Sequence, residues 1–422
     1  FGNELLANQI AVLPPSAKMT TTQVLQDQHY VYDSVGNLLN RQDFAAQGPA
    51  APAAPYAATY TYDDLSRLTS FTTHFGATLA GSGAYSYDAL GNLTAKESAA
   101  LHYGGQTECS RSSPPPHAVT AWTRGRFRTD YCYDANGALV TANHTEVRPQ
   151  FTRQLRRVEY THNVRGMLAS IRDTRFEPAA PPDPPFAVER FHNFYYDAEG
   201  TRVHKVEPPL SPGGAPRVTT DLFPFYRVTN AGVEKHYFAA GRRIARRVGP
   251  TPRAVFWYHA EHLGSTNLMT DMLGRELTDA YSEYMPFGDR LPTPGNTPDR
   301  TIDHSGGFQF TGKELDDTGL YDYGARYYDP VIGRFIEADS IVPDVWPQSL
   351  NRYSYVLNNP LNYADPTGHA AQEAVSLSDY LDRQCCSLLT EQDYLEAKIK
   401  SINEIANERC GSGGVKCGPP PG

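Results

Sequence analysis

The chain has 422 residues and a net charge of −9, and it carries 27 Tyr, 34 Gly and 33 Pro. The acidic balance argues against a general affinity for nucleic acid or for an anionic membrane. No apolar run is long enough to cross a bilayer, and many tyrosines among many turn formers point to an all-β architecture of short strands.

The first residue is Phe1 rather than Met, and no signal peptide is visible, as expected of a segment of a longer protein. A repeat then runs through the first half. Its copies are YVYDSVGNLL (30–39), YTYDDLSRLT (60–69), YSYDALGNLT (85–94), YCYDANGALV (131–140) and FYYDAEGTRV (194–203), with a degenerate EYTHNVRGML (159–168). The shared pattern is aromatic-x-Tyr-Asp-x-x-Gly-x-Leu. Asp at the head of a four-residue turn accepts hydrogen bonds from the amides that follow, and Gly at its end takes a left-handed conformation without steric cost. Asp33–Gly36, Asp88–Gly91, Asp134–Gly137 and Asp197–Gly200 are therefore expected to be type I hairpin turns with a bulge. Asn163–Gly166 fits the rule with Asn for Asp, whereas Asp63–Ser66 departs from it. Alternate tyrosines such as Tyr30 and Tyr32 point to one face of the incoming strand. Leu38, Leu68, Leu93, Leu139 and Leu168 are expected to anchor the return strand.

Pro/Ala-rich inserts separate the repeats (45–58, 112–116, 177–185 and 207–216). The repeat resumes after each, which predicts one continuous sheet with long surface excursions. The basic run GRRIARR (241–247) is expected to be a solvated strand face. HAEH (259–262) could be half of a metal site, but no further ligand completes it, so the histidines read as structural. No nucleotide, metalloprotease or serine-hydrolase motif occurs, and neither a cofactor nor a metal is expected. Cys109 and Cys132 do not make a disulfide framework. After residue 368, Leu395, Ile399, Ile402 and Ile405 have helical spacing. Thr390 with Asp393 resembles a capping box, and Gly411 a C-cap. Cys385, Cys386, Cys410 and Cys417 suit disulfides better than zinc, with free thiols left open.

These repeats resemble the YD repeats of the Rhs family, found also in the C component of Tc insecticidal toxins and in teneurins. The segments YHAEHLGSTNLMTDMLGR (258–275), YMPFGDR (284–290), FTGKELDDTGLYDYGARYYDPVIGRFIEAD (310–339) and NRYSYVLNNPLNYADPTG (351–368) resemble the Rhs-repeat-associated core in its usual order. The resemblance implies a shell of stacked antiparallel hairpins over residues 1–257. It implies a core region closing the shell over 258–368, and a variable segment in the toxin position over 369–422. It also implies a secreted bacterial toxin segment that holds its own C-terminus inside. Implied partners are the remaining shell, a Tc B-type component or a type VI secretion spike. Neither nucleic acid nor a membrane anchor is implied.

In that family two aspartates, each heading a DPxG-like motif, form a self-cleaving site with an arginine ahead of the first. The matching positions are Asp339, Asp365 and Arg326, with the break beside Gly368 and His369. Two carboxylates brought together share a proton, so one can serve as base and the other as acid, and the arginine can hold a carboxylate or a developing oxyanion. This chain departs from the pattern in reading DSIV at 339–342, in a longer segment between the two aspartates, and in His369 where the family usually has an apolar residue. Three alternatives stand beside this reading: aspartates that merely cap turns in an inactive core, a structural or adhesive YD-repeat protein, and a carbohydrate-binding surface built on the tyrosines.

Overall fold

The computed structural model describes residues 6–12, 23–45, 55–105, 114–177, 186–211, 213–251, 254–277, 281–291, 306–341 and 348–373. The expected tail helix and its four cysteines lie outside these residues, as does most of the longer segment after Asp339. Among the described residues no helix is long and apolar enough to cross a membrane.

The repeats fold as one sheet of 21 strands, from β1 (Leu6–Val12) to β21 (Thr266–Asp271) in chain order. Each strand pairs antiparallel with its neighbours in sequence, as the β2 (Gln23–Tyr32) to β3 (Leu38–Asp43) hairpin does. The Asp turns explain why. The Asp33 carboxylate accepts the amides of Val35 (3.0 Å) and Asn37 (2.8 Å), while the Gly36 amide returns to the Asp33 carbonyl at φ +87°. The same arrangement recurs at Asp88 and Asp134 and, with Asn, at Asn163. Asp63–Ser66 adopts it too, with Ser66 held at φ +57° by the Asp63 carboxylate's bonds to Leu65 and Arg67. A register shift falls just before each turn, for example between Val31 and Tyr32 and between Ser86 and Tyr87, so the expected bulges are present.

The five anchor leucines are all buried. Stacking adds a contact that the repeat pattern does not announce. The last tyrosine of a strand donates its hydroxyl to the carbonyl of an anchor leucine one hairpin earlier. Tyr62 reaches Leu38 (2.9 Å), Tyr87 reaches Leu68 (2.7 Å) and Tyr196 reaches Leu168 (2.6 Å). Each such bond contributes about 1 kcal/mol net and fixes the offset between successive hairpins.

The described residues between 281 and 373 cover the leucine and tyrosine face. They form three small sheets: β22 (Glu283–Tyr284) with β23 (Arg290–Leu291), the meander β24 (Glu314–Leu315), β25 (Tyr321–Asp322), β26 (Tyr327–Asp329) and β27 (Arg334–Phe335), and the hairpin β28 (Tyr363–Ala364) with β29 (Gln372–Glu373). Tyr321, Tyr328, Phe335 and Tyr355 join the core under the first repeats, and Ile332, Ile336 and Tyr353 join it under the later ones. Asparagines dock this segment onto the turns: Asn358 donates to the Gly91 carbonyl, and Asn359 and Asn362 donate to the Asn37 side chain. A buried ion cluster ties the meander to the sheet. Arg202 pairs with Asp316, Lys205 with both Asp316 (2.8 Å) and Glu314 (2.9 Å), and Arg227 with Glu314 (2.8 Å). Burial alone would raise the Glu314 carboxyl, but Arg227, Lys205 and Arg202 hold it well below the usual range.

One expectation needs correction. GRRIARR is no solvated face: Ile244, Ala245 and Arg246 are buried, Arg243 lies 3.2 Å over the Phe308 ring, and Arg246 pairs with Glu234. Arg243 thus covers a ring of the covering segment, and Arg246 neutralises an acid on the neighbouring strand. The Asp329 turn is one residue longer than those upstream, because the Gly333 amide returns to the Asp329 carbonyl. Cys132 is disulfide-bonded.

Candidate functional site

Three loops converge at the end of the meander. The stretch GAR before β26 presents Arg326, the residues after β27 lead to Asp339, and the β28–β29 hairpin begins its loop at Asp365. Backbone bonds fix the three together. The Ala325 amide donates to the Thr367 carbonyl (3.1 Å), and the Asp339 amide donates to the Arg352 carbonyl (3.0 Å). Gly368 sits at φ +81°, and a Cβ there would lie 3.0 Å from the Tyr323 carbonyl oxygen and 3.1 Å from the Arg326 amide. Only glycine lets the two backbones approach so closely.

Arg326 is the hub. Its Nη2 lies 2.9 Å from Asp339 Oδ2 and 3.4 Å from Asp365 Oδ2. The two carboxylate oxygens therefore lie no further apart than the sum of those distances. Its Nε donates to the Gly368 carbonyl at 2.5 Å, and its Nη1 donates to the Arg352 carbonyl at 2.9 Å. The guanidinium stacks on Phe335, 3.7 Å from the ring centroid. Burial draws its pKa down, against the opposing pull of Asp339 and Asp365. The side chains of Arg326, Asp339 and Asp365 are only 6%, 6% and 3% exposed, so the charges act on one another with little screening by water.

The two aspartates are held differently. Asp365 Oδ1 accepts the amides of Thr367 (3.2 Å), Gly368 (2.7 Å), His369 (3.1 Å) and Ala370 (3.2 Å), so its loop wraps around the carboxylate. Asp339 Oδ1 accepts one amide, from Ile341 (2.9 Å), and contacts His369 Nδ1 at 2.8 Å. Among the described residues Asp339 thus still heads a bend, with the Ile341 amide on its carboxylate.

All five residues singled out from the sequence (Arg326, Asp339, Asp365, Gly368 and His369) meet here. Lys313 was not among them. Its Nζ donates to the Pro366 carbonyl at 2.6 Å, and burial lowers its pKa against the pull of Asp322 and Asp365. Its place in the TGKE stretch gave no signal, because its partner is 53 residues away.

HAEH, by contrast, is a structural turn. Glu261 takes the place of the repeat's Asp, accepting the amides of Leu263 and Ser265. His262 contacts Glu261 and the Leu361 carbonyl, and His259 contacts Thr270. Burial raises the Glu261 carboxyl, but His262, Arg41 and the turn amides outweigh it and bring it down to about 2. Among the described residues no group of three or more His, Cys, Asp and Glu is arranged to hold a metal ion.

No family model matches the chain. The toxin subunit YenC2 of Yersinia entomophaga is 25% identical over 86% of this chain, which spans 39% of that protein. The salivary gland surface protein 1 of Aedes aegypti is 38% identical over 112 residues, 26% of this chain and 3% of its own length. The crystal structure of TcdB2-TccC3 without the hypervariable C-terminal region superposes with a TM-score of 0.51 at 21% identity. It covers 87% of this chain and 18% of that one, and that likeness speaks to the fold.

Proposed function

From the relation of this chain to the YD-repeat C-type subunits of Tc toxins, we propose that it is a shell segment of such a toxin that cuts its own backbone beside Gly368 and His369. The cut frees the segment in the toxin position. One observation carries the reading: a single guanidinium spans both carboxylates and the Gly368 carbonyl. In the reaction, Asp339 takes a proton from water, and the oxygen adds to the Gly368 carbonyl carbon. Arg326 Nε, already on that carbonyl oxygen, stabilises the negative charge that develops there. Asp365 supplies the single proton the pair shares. Its Oδ1 lies against the His369 nitrogen, whose amide it accepts, so the carboxyl can turn that proton to the nitrogen as the carbon–nitrogen bond breaks. The products are a Gly368 carboxylic acid, which loses its proton to water, and a new amine.

The shell would retain its C-terminal segment until release. TccC3 is found together with TcdB2 in crystals, which supports a B-type component as partner. Secretion as the route out of the producing cell belongs to the same proposal, by likeness to the Yersinia toxin subunit. The test uses Asp339→Asn and Asp365→Asn beside the parent protein at neutral pH on a denaturing gel. The parent is expected to yield a small C-terminal fragment and the variants a single band with an unchanged melting transition. An intact parent band after long incubation favours the structural or adhesive alternative. Acid must be avoided, because the Asp365–Pro366 bond is itself acid-labile and breaks three residues before the proposed cut.

A further inference from the structure

We infer that His369 is a positioning residue for this self-cleavage, an inference that rests on the reaction proposed above. Asp365 is oriented by four amides of its own loop. Among the described residues, Asp339, the base, takes the Ile341 amide on Oδ1 and the Arg326 guanidinium on Oδ2. His369 Nδ1 also contacts Oδ1, at 2.8 Å. That ring belongs to the residue beside the bond to be cut, and its side chain is 31% exposed against 6% for Asp339. The substrate strand thus reaches back and aligns the base that activates the attacking water.

Two consequences follow from the chemistry. In this chain the ring offers Asp339 a hydrogen-bond donor that the apolar residue usual at this place in the family does not. Asn offers one too, because its side-chain amide nitrogen occupies the same place relative to the backbone; Leu cannot. The clamp also lasts only while residue 369 is attached. Once the bond breaks, His369 leaves with the released segment and Asp339 loses its alignment, so rejoining of the ends is disfavoured.

Charged groups surround the ring. Asp339 faces it directly, Asp365 holds its amide, and Arg326 reaches it through Gly368 and Asp339. Lys313 binds the Pro366 carbonyl of the same loop, and Arg352 binds the Asp339 carbonyl.

The experiment measures cleavage rates of the full chain and of its His369→Leu and His369→Asn variants by intact mass at neutral pH. His369→Leu should slow cleavage by about ten- to a hundred-fold, as expected for loss of one charge-assisted bond in the transition state. His369→Asn should recover most of that loss. Leu cleaving at the parental rate, or Asn cleaving no faster than Leu, would overturn the inference and leave the two-aspartate reaction standing. A parent chain as inert as Asp365→Asn would overturn both.

Discussion

Gly368→Ala isolates geometry from charge, because it removes no catalytic group. The glycine's φ of +81° is left-handed, which costs an alanine roughly 1–2 kcal/mol. The new Cβ would stand 3.0 Å from the Tyr323 oxygen, 3.1 Å from the Arg326 nitrogen and 3.2 Å from the Ala325 nitrogen. All three are backbone atoms that no rotamer change can clear, so the two strands must part by a few tenths of an ångström. The global cost is about 2 kcal/mol, confined to one surface loop. The displacement, however, falls on the carbonyl that Arg326 Nε holds at 2.5 Å. Small misplacements of reacting groups cost on the order of 100-fold in rate. The assay is a neutral-pH time course of fragment formation by mass spectrometry, with thermal unfolding as the control for folding. A near-parental cleavage rate in Gly368→Ala would refute the claim that close packing of this loop on Arg326 aligns the bond.

Arg326→Lys keeps a positive charge but loses the fork that reaches Gly368 and both carboxylates at once. Cleavage should fall about 100- to 1,000-fold with the fold retained, read on the same gel. Tyr87→Phe removes the hydroxyl bond to the Leu68 carbonyl and should cost about 1 kcal/mol, whereas Leu68→Ala should cost about 2–5 kcal/mol, both by denaturant unfolding. Glu261 should shape the acid limb of stability. Its folded pKa, about 2, lies below its ordinary 4.5. Its contribution is therefore fully present above about pH 4.5 and is lost as pH falls toward 2. It amounts to roughly 3 kcal/mol, so Glu261→Gln should flatten that limb of the unfolding curve.

The turns and their leucines were legible because they are local: Asp, Gly and Leu within six residues specify a hairpin and its register. Ser66 shows the limit of that rule, since the Asp63 carboxylate forces the same turn without glycine. Arg326, Asp339 and Asp365 were legible only through their resemblance to the Rhs core, because nothing local marks two turn aspartates 26 residues apart as neighbours. What escaped the sequence is long-range pairing. The tyrosine hydroxyl that reaches back one hairpin, the asparagines that read the Asn37 and Gly91 turns, and Lys313 on the Pro366 carbonyl all use residue types with many possible partners. GRRIARR misled for the same reason, because its neutralising acids and covering aromatic ring lie on other elements.

The most direct measurement is the intact mass of the full chain held at neutral pH in water enriched in heavy oxygen, beside Asp365→Asn. The account predicts an N-terminal fragment ending at Gly368 that carries one heavy oxygen on its new carboxylate, with the variant intact. Full-length mass alone after long incubation, or the same fragment from Asp365→Asn, would contradict it.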